Sequence, residues 1–331
     1  MLPLVSINIP VFKCEDYIIR CLDSVKNQTY QNLEIILIND CTPDNSVALI
    51  EQYIQQNPEM NIFLYHNEIN QGLSVVRNKG IDNSSGKYIY MLDSDDYISS
   101  DCIEKLVAVS EKENSDITVG ETICLDSKDG KEKMYFPIRT DKYVLEGNEY
   151  IFERFIYSDW PIIAPNKLYN RQWINENNLR FVKGLFSQDE LWAFHCSFKL
   201  NKIAFIKDIT YVYYLHGAST IFNRKKINFE NYQTILEYFH QGYNESDQKK
   251  KDLLKIKITE FREMVMIMQW KAMRDDLGYF MENYTRMKRL PSLNLLDYLN
   301  SKFSWEIKKL SILQNLPTSI GTKLFIKRFG N

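Results

Sequence analysis

Lys87-Tyr88-Ile89-Tyr90-Met91-Leu92-Asp93-Ser94-Asp95-Asp96 is the stretch on which the fold reading turns. Tyr88 through Leu92 are the apolar and aromatic residues that a buried strand uses. They run straight into three carboxylates in four positions. At the carboxyl end of a strand in an open α/β sheet, that is where ligands bind. Clustered carboxylates repel one another unless positive charge lies between them, and a divalent cation is the usual source. An Asx turn with one Asp capping the next helix explains the same residues. The surrounding chain has to decide between the two.

Working outward from that strand, the preceding segments alternate. Val5–Pro10 is a short apolar strand ending at a proline, and the helix at 16–27 keeps Ile18, Cys21, Leu22 and Val25 on one face. Leu33–Ile38 is a near-continuous apolar run, as in a parallel strand covered on both faces. A polar turn at 39–44 leads into a helix carrying Val47, Ile50, Tyr53 and Ile54. Asn61–Tyr65 is a third strand, and a helix from Gln71-Gly72 to Asp82 precedes the opening stretch. Residues 4–92 therefore spell β-α-β-α-β-α-β, the pattern of a mainly parallel sheet flanked by helices.

Downstream, a helix at 100–113 and a strand at 116–124 continue the pattern, which loosens after Leu125. Short helices are predicted at 149–157 and 171–177, a clearer one at 189–200, and β-rich segments at 203–206 and 210–215. From Ile221 the reading is helical, at 229–243, 250–275 and 277–290. The expected organisation is a domain over 1–220, divided into halves at 1–110 and 111–220. A helical C-terminal extension follows at 221–331.

Bulk properties narrow the class. A chain of 331 residues with 44% hydrophobic and 25% charged content is ordinary for a soluble globular protein. The net charge of −2 argues against a general nucleic-acid binder. No apolar run approaches the roughly 18 residues of a spanning helix, and the first residues do not read as a signal peptide. Six cysteines scattered without Cys-x-x-Cys spacing fit a reduced, cytoplasmic protein without a zinc site. The stretch 302–328 carries Lys302, Lys308, Lys309, Lys323, Lys327 and Arg328 against one acid, Glu306. Phe303, Trp305, Leu310, Ile312, Leu313, Leu324 and Phe325 are interleaved, so the tail reads either as a membrane-surface segment or as a docked helix with a solvated basic face.

Two phosphate-binding loops are excluded. No Gly-x-Gly-x-x-Gly follows the first strand, the first glycine being Gly72, and no Gly-x-x-x-x-Gly-Lys-Ser/Thr exists. What remains is a sheet that handles a phosphate ligand through a cation, with Asp40 at the second strand end and Asp93 and Asp95 at the fourth.

Three segments then resemble the family-2 glycosyltransferases, inverting enzymes with the GT-A fold. They are Val5–Phe12 with Cys21–Tyr30, Glu34–Ser46, and Asn70–Ile81 running on to Gly86–Asp96. The resemblance is strong over about residues 4–110 and looser to about 220. It implies a nucleotide-sugar donor, uracil-bearing in many relatives, and Mg²⁺ or Mn²⁺. Carried over by position, Pro10, Val11 and Phe12 line the nucleotide, Asp40 meets the base, and Gly72, Arg77 and Asn78 border it. Asp93 and Ser94 face the ribose side, Asp93 also reaching a metal-bound water. Asp95 ligates the cation, with His216 a further candidate ligand.

Phe186–Trp192 resembles the family's Glu-Asp segment, with Gln188 where Glu is usual. The resemblance makes Asp189 the catalytic base and Glu190 the fallback, against a helix N-cap as the plain structural role. Asn166 and Lys167 fall in the segment that faces the acceptor. The implied reaction moves a sugar to a hydroxyl of a growing or lipid-linked glycan, in capsule, exopolysaccharide or lipo-oligosaccharide synthesis. Contact with the inner face of the membrane would come through the tail. A nucleotidyltransferase and a non-catalytic nucleotide-sugar-binding module are the alternatives; Pro10-Val11-Phe12 is not a triphosphate loop, and the intact carboxylates speak against the second.

Overall fold

The computed structural model describes residues 2–217 and 225–329. The chain divides into two compact units, Met1–Ser219 and Thr220–Asn331.

The first unit is built on one sheet. β1 (Val5–Val11), β2 (Leu33–Asn39), β3 (Ile62–His66) and β4 (Tyr88–Met91) are parallel, in the order β3-β2-β1-β4. The helices between them are α1 (Ile18–Lys26), α2 (Ser46–Gln56) and α3 (Leu73–Asn83). β1 is buried on both faces, with Val5, Ile7, Ile9 and Val11 at 0–1% exposure on one and Ser6 and Asn8 at 0% and 4% on the other, because helices cover both sides of a parallel sheet. Ile18, Cys21, Leu22 and Val25 are the buried residues of α1, as their helical spacing predicts.

A buried carboxylate ties the strand starts together. Glu34 accepts from Ser6 Oγ, Ser85 N, Ser85 Oγ and Gly86 N, and these four donors hold its carboxyl below the ordinary range although burial pushes the other way. Gly86 is needed there: a Cβ would lie 2.7 Å from Leu4 O.

Past β4 the sheet turns mixed. After the two-residue β5 (Tyr97–Ile98) come α4 (Cys102–Glu113), β6 (Ile117–Asp126), β7 (Glu132–Met134), β8 (Val144–Glu146), α5 (Asn148–Ile156) and β9 (Lys167–Asn170). α6 (Arg171–Glu176), α7 (Gln188–Lys199) and β10 (Lys202–Leu215) complete the unit. β9 lies antiparallel between β4 and β6, and β10 pairs parallel with β6. The two β-rich segments expected at 203–206 and 210–215 are one strand, whose register shifts between Phe205 and Tyr211. β9 has four residues and runs directly into α6, too few for a period to show in the sequence.

The second unit is helical: α8 (Lys226–Glu245), α9 (Gln248–Ala272), α10 (Leu277–Met287), α11 (Leu295–Leu299), α12 (Trp305–Asn315) and α13 (Thr318–Phe329). Among the described residues no helix is long and apolar enough to cross a membrane. The basic tail is docked: Phe303, Ile307 and Phe325 are 2–7% exposed, and Phe325 packs on Phe280 with ring centroids 5.1 Å apart.

Candidate functional site

Because β2, β1 and β4 are adjacent and parallel, the residues that follow them emerge at one edge of the sheet. Asp40, just past β2, is 4% exposed. Its carboxylate accepts from Asn67 Nδ2 (2.9 Å), Gln71 N (2.8 Å) and Gly72 N (2.8 Å). It therefore fastens the loop that opens α3. Gly72 takes φ +85° at that helix start, a conformation that favours glycine. Asp40 N donates to Val11 O, which fixes the end of β1 beside this loop. Pro10 is half-buried, Val11 is buried and presents only backbone, and Phe12 is 42% exposed at the edge.

Arg77, on α3, is the centre of the site. It is 3% exposed. Its Nη2 lies 2.9 Å from Asp93 Oδ1 and its Nη1 2.5 Å from Asp189 Oδ1. One planar guanidinium thus joins the end of β4 to the first turn of α7. Burial alone lowers an arginine's proton affinity; here Asp189 and Asp93 more than reverse it, and the guanidinium stays firmly charged. Gln188, with its amide oxygen inward, accepts from Arg77 Nη1 at 3.1 Å. The ring of Phe181 lies 5.4 Å from the guanidinium. Asp93 is pushed above the ordinary carboxylate range by burial, which Arg77 opposes and Asp95 and Asp189 reinforce. Its Oδ1 is held by Arg77, so the guanidinium, not a cation ligand role, accounts for that oxygen.

Asp95 is held differently. Its Oδ2 is 3.1 Å from His216 Nε2, and His216 Nδ1 is 3.1 Å from the Tyr17 hydroxyl. The His216 and Tyr17 rings are 4.4 Å apart. Arg20 donates to Asp95 O at 2.8 Å and lies over Tyr214 at 3.8 Å and Tyr97 at 4.8 Å. Asp96, the last carboxylate of the opening stretch, is held inside the fold. It is 1% exposed and accepts from the Tyr211 hydroxyl (2.6 Å) and Tyr214 N (2.8 Å), so it pins the end of β10 and with it His216.

Among the described residues no group of three or more His, Cys, Asp or Glu forms a ready-made metal cage. Asp95 and His216 are one carboxylate and one imidazole at a half-open edge, with 34% and 10% side-chain exposure. Mg²⁺ and Mn²⁺ take one or two protein carboxylates and complete their shell with substrate phosphate. This donor set fits such a substrate-completed site.

Asp189 is not the N-cap of α7. Ser187 occupies that position at φ +58°, and Asp189 follows in the first turn, where the helix dipole favours negative charge. Its side chain is 24% exposed. Glu190 beside it is buried, as is Ser94. Three expected contact residues serve the scaffold instead. Asn78 exchanges two hydrogen bonds with the Phe181 backbone. Asn166 is 1% exposed, with Nδ2 donating to Gly120 O, Glu121 O and Thr122 Oγ1. Lys167 is 4% exposed and donates to Ile163 O. Both side chains are buried here, Asn166 just before β9 and Lys167 at its start. Ser219 and Thr220, which follow His216 in sequence, lie outside the described residues.

Tyr17, Arg20, Tyr211 and Tyr214 were missed by sequence reasoning. A signal existed for the last: Tyr214 and His216 are two apart at the end of a strand and so fall on one face.

A family model described as Glycosyl transferase family 2 matches residues 6–177. The chain is 30% identical to EpsH of Bacillus subtilis (strain 168) over 276 residues, 82% of this chain and 78% of that one. Among solved structures, S. aureus TarS 1-349 in complex with UDP-GlcNAc superposes with a TM-score of 0.70 at 17% identity, covering 87% of this chain and 82% of that one. The mannosyltransferase PcManGT from Pyrobaculum calidifontis in complex with GDP-Man and Mn²⁺ gives 0.56 at 12% identity, over 98% and 87%. The fold is GT-A.

Proposed function

The chain belongs to glycosyl transferase family 2, and from that premise we propose that it is a metal-dependent inverting enzyme with Asp189 as its base. The donor is a nucleoside-diphosphate sugar, with UDP as the carrier, and the acceptor is a hydroxyl of a growing glycan in cell-surface polysaccharide synthesis. The observation that carries this reading is the Arg77 fork, which sets Asp189 opposite the end of β4.

Phe12, the Asp40 loop and Gly72 form the nucleotide side, with Asp93 and Ser94 toward the ribose. Asp95 and His216 would hold Mg²⁺ or Mn²⁺, which would offset negative charge on the departing diphosphate. Arg77 contacts Oδ1 of Asp189, and Oδ2 takes the proton from the acceptor hydroxyl as that oxygen attacks the anomeric carbon. Fixing the base on a helix start, against a buried guanidinium, preserves its aim without a reorganisation step. A single displacement of this kind inverts the anomeric centre.

The nucleotidyltransferase and binding-module alternatives fall with the family assignment. The test is release of nucleoside diphosphate from a panel of UDP- and GDP-sugars with Mn²⁺ and a glycan acceptor. Metal-dependent turnover of a UDP-sugar is expected. Turnover of GDP-sugars alone would overturn the carrier, and turnover insensitive to chelator would overturn the metal.

A further inference from the structure

The helix α11 is built inside out. Leu295, Leu296 and Leu299 are 86%, 77% and 85% exposed, whereas its acidic residue Asp297 is 7% exposed. A surface helix ordinarily shows the reverse. The inversion is fixed by hydrogen bonds. Asn294 Oδ1 accepts from Leu296 N and Asp297 N, and Asp297 Oδ2 accepts from Asn294 N at 2.8 Å. The same Oδ2 is 2.6 Å from Nζ of Lys255, a lysine 3% exposed. This buried ion pair anchors the polar side of α11 and leaves the three leucines outward. Trp305, which opens α12, is 70% exposed, while Trp160, Trp173, Trp192 and Trp270 are 2–8% exposed.

We propose that the Leu295/Leu296/Leu299/Trp305 surface seats this unit on an anionic lipid bilayer. The occupant follows from the charge around the patch. Arg289, Lys302 and Lys309 are exposed in the flanking sequence, Lys302 also lying 3.8 Å from Asp252 Oδ2, and Glu306 is the one exposed acid from 286 to 309. Protein–protein interfaces deplete lysine around their apolar centre. Bilayer surfaces favour leucines in the acyl boundary, tryptophan at the headgroup level and lysines on anionic phosphates. Phe303, Ile307 and Phe325 of the tail are buried, and Trp305 near its start is what the tail adds to this surface. The proposal is independent of which sugar is transferred.

The full chain is mixed with phosphatidylcholine vesicles with and without about 30 mol% phosphatidylglycerol, and both co-sedimentation and tryptophan emission are read. Binding to the anionic vesicles with a blue shift is expected. The Leu295→Ser/Leu296→Ser/Leu299→Ser variant, altered only at solvent-facing positions, is expected to bind at least about ten-fold more weakly. Trp305→Phe should keep most of the sedimentation and lose the blue shift, since the other four tryptophans are buried. Unchanged binding in the triple variant, a blue shift that survives Trp305→Phe, or no vesicle binding would overturn the proposal. So would self-association in ultracentrifugation that the triple variant abolishes, which would assign the patch to a second copy of the chain.

Discussion

His216 Nε2 lies 3.1 Å from Asp95 Oδ2, across 121 positions of sequence. The contact exists because Asp96 holds the end of β10 through Tyr211 and Tyr214, and because the Tyr17 hydroxyl meets the other imidazole nitrogen. Asp95→Ala should reduce transfer to background at any Mn²⁺ concentration. Tyr17→Phe leaves both proposed ligands in place but frees the ring, and should raise the Mn²⁺ needed for half-maximal turnover about ten-fold or more. A titration of activity against Mn²⁺ reads this. A Tyr17→Phe curve superimposed on wild type would make the Tyr17–His216 contact incidental.

Arg77 bridges the end of β4 and the start of α7, setting one positive charge between two carboxylates. Removing one partner of a buried pair leaves uncompensated charge. Asp93 and Asp189 retain 30% and 24% side-chain exposure, so water screens part of the loss. Arg77→Met should therefore cost about 2–3 kcal/mol in urea unfolding. Arg77→Lys should recover part of the stability but little turnover, because an ammonium cannot reproduce the planar fork. Full activity in Arg77→Lys would show that only the charge matters.

Asp189→Asn separates the base role from the structural one. The amide oxygen can still accept from Arg77, so the fold and donor binding should persist, with UDP affinity by calorimetry within about three-fold of wild type. Turnover should fall about 10²- to 10⁴-fold, the range for loss of a positioned general base. If turnover stayed within a few-fold, Asp189 would be Arg77's partner and nothing more.

The four parallel strands were legible because apolar runs of four to seven residues end in polar turns, and the intervening helices keep one apolar face. Asp40, Asp93 and Asp95 were legible as strand-end carboxylates. The partners were not. Arg77 sits in a helix with no exceptional pattern, and only the packing of α3 against the 181–189 segment shows that its charge is buried between Asp93 and Asp189. The burial of Asn166 and Lys167 was not legible either, because it comes from a positive φ at Asn166 and from the pairing of Lys167 with Val119 across β9 and β6. α11 shows the same limit, since nothing in Leu-Leu-Asp-Tyr-Leu says which side faces Lys255.

Lys167 gives the protein a pH dependence that its composition does not reveal. Burial pushes its ammonium down to about 7, against the opposing pull of Asp189. In the unfolded chain the same group titrates near its ordinary value of about 10.4. Between about 7 and about 10.4 the unfolded state binds more protons than the folded one, so stability rises with pH across that window. Below it both states are protonated and the buried charge carries its full penalty; above it both are neutral. The slope contributed by this one group approaches about 1.4 kcal/mol per pH unit at most. Lys167→Met keeps the aliphatic stem and removes the titration. Urea unfolding at about pH 7 and about pH 9 should show the wild type gaining stability relative to Lys167→Met as pH rises. Parallel pH profiles for the two proteins would mean that the Lys167 ammonium reaches water in solution, and that β9 does not seal it in.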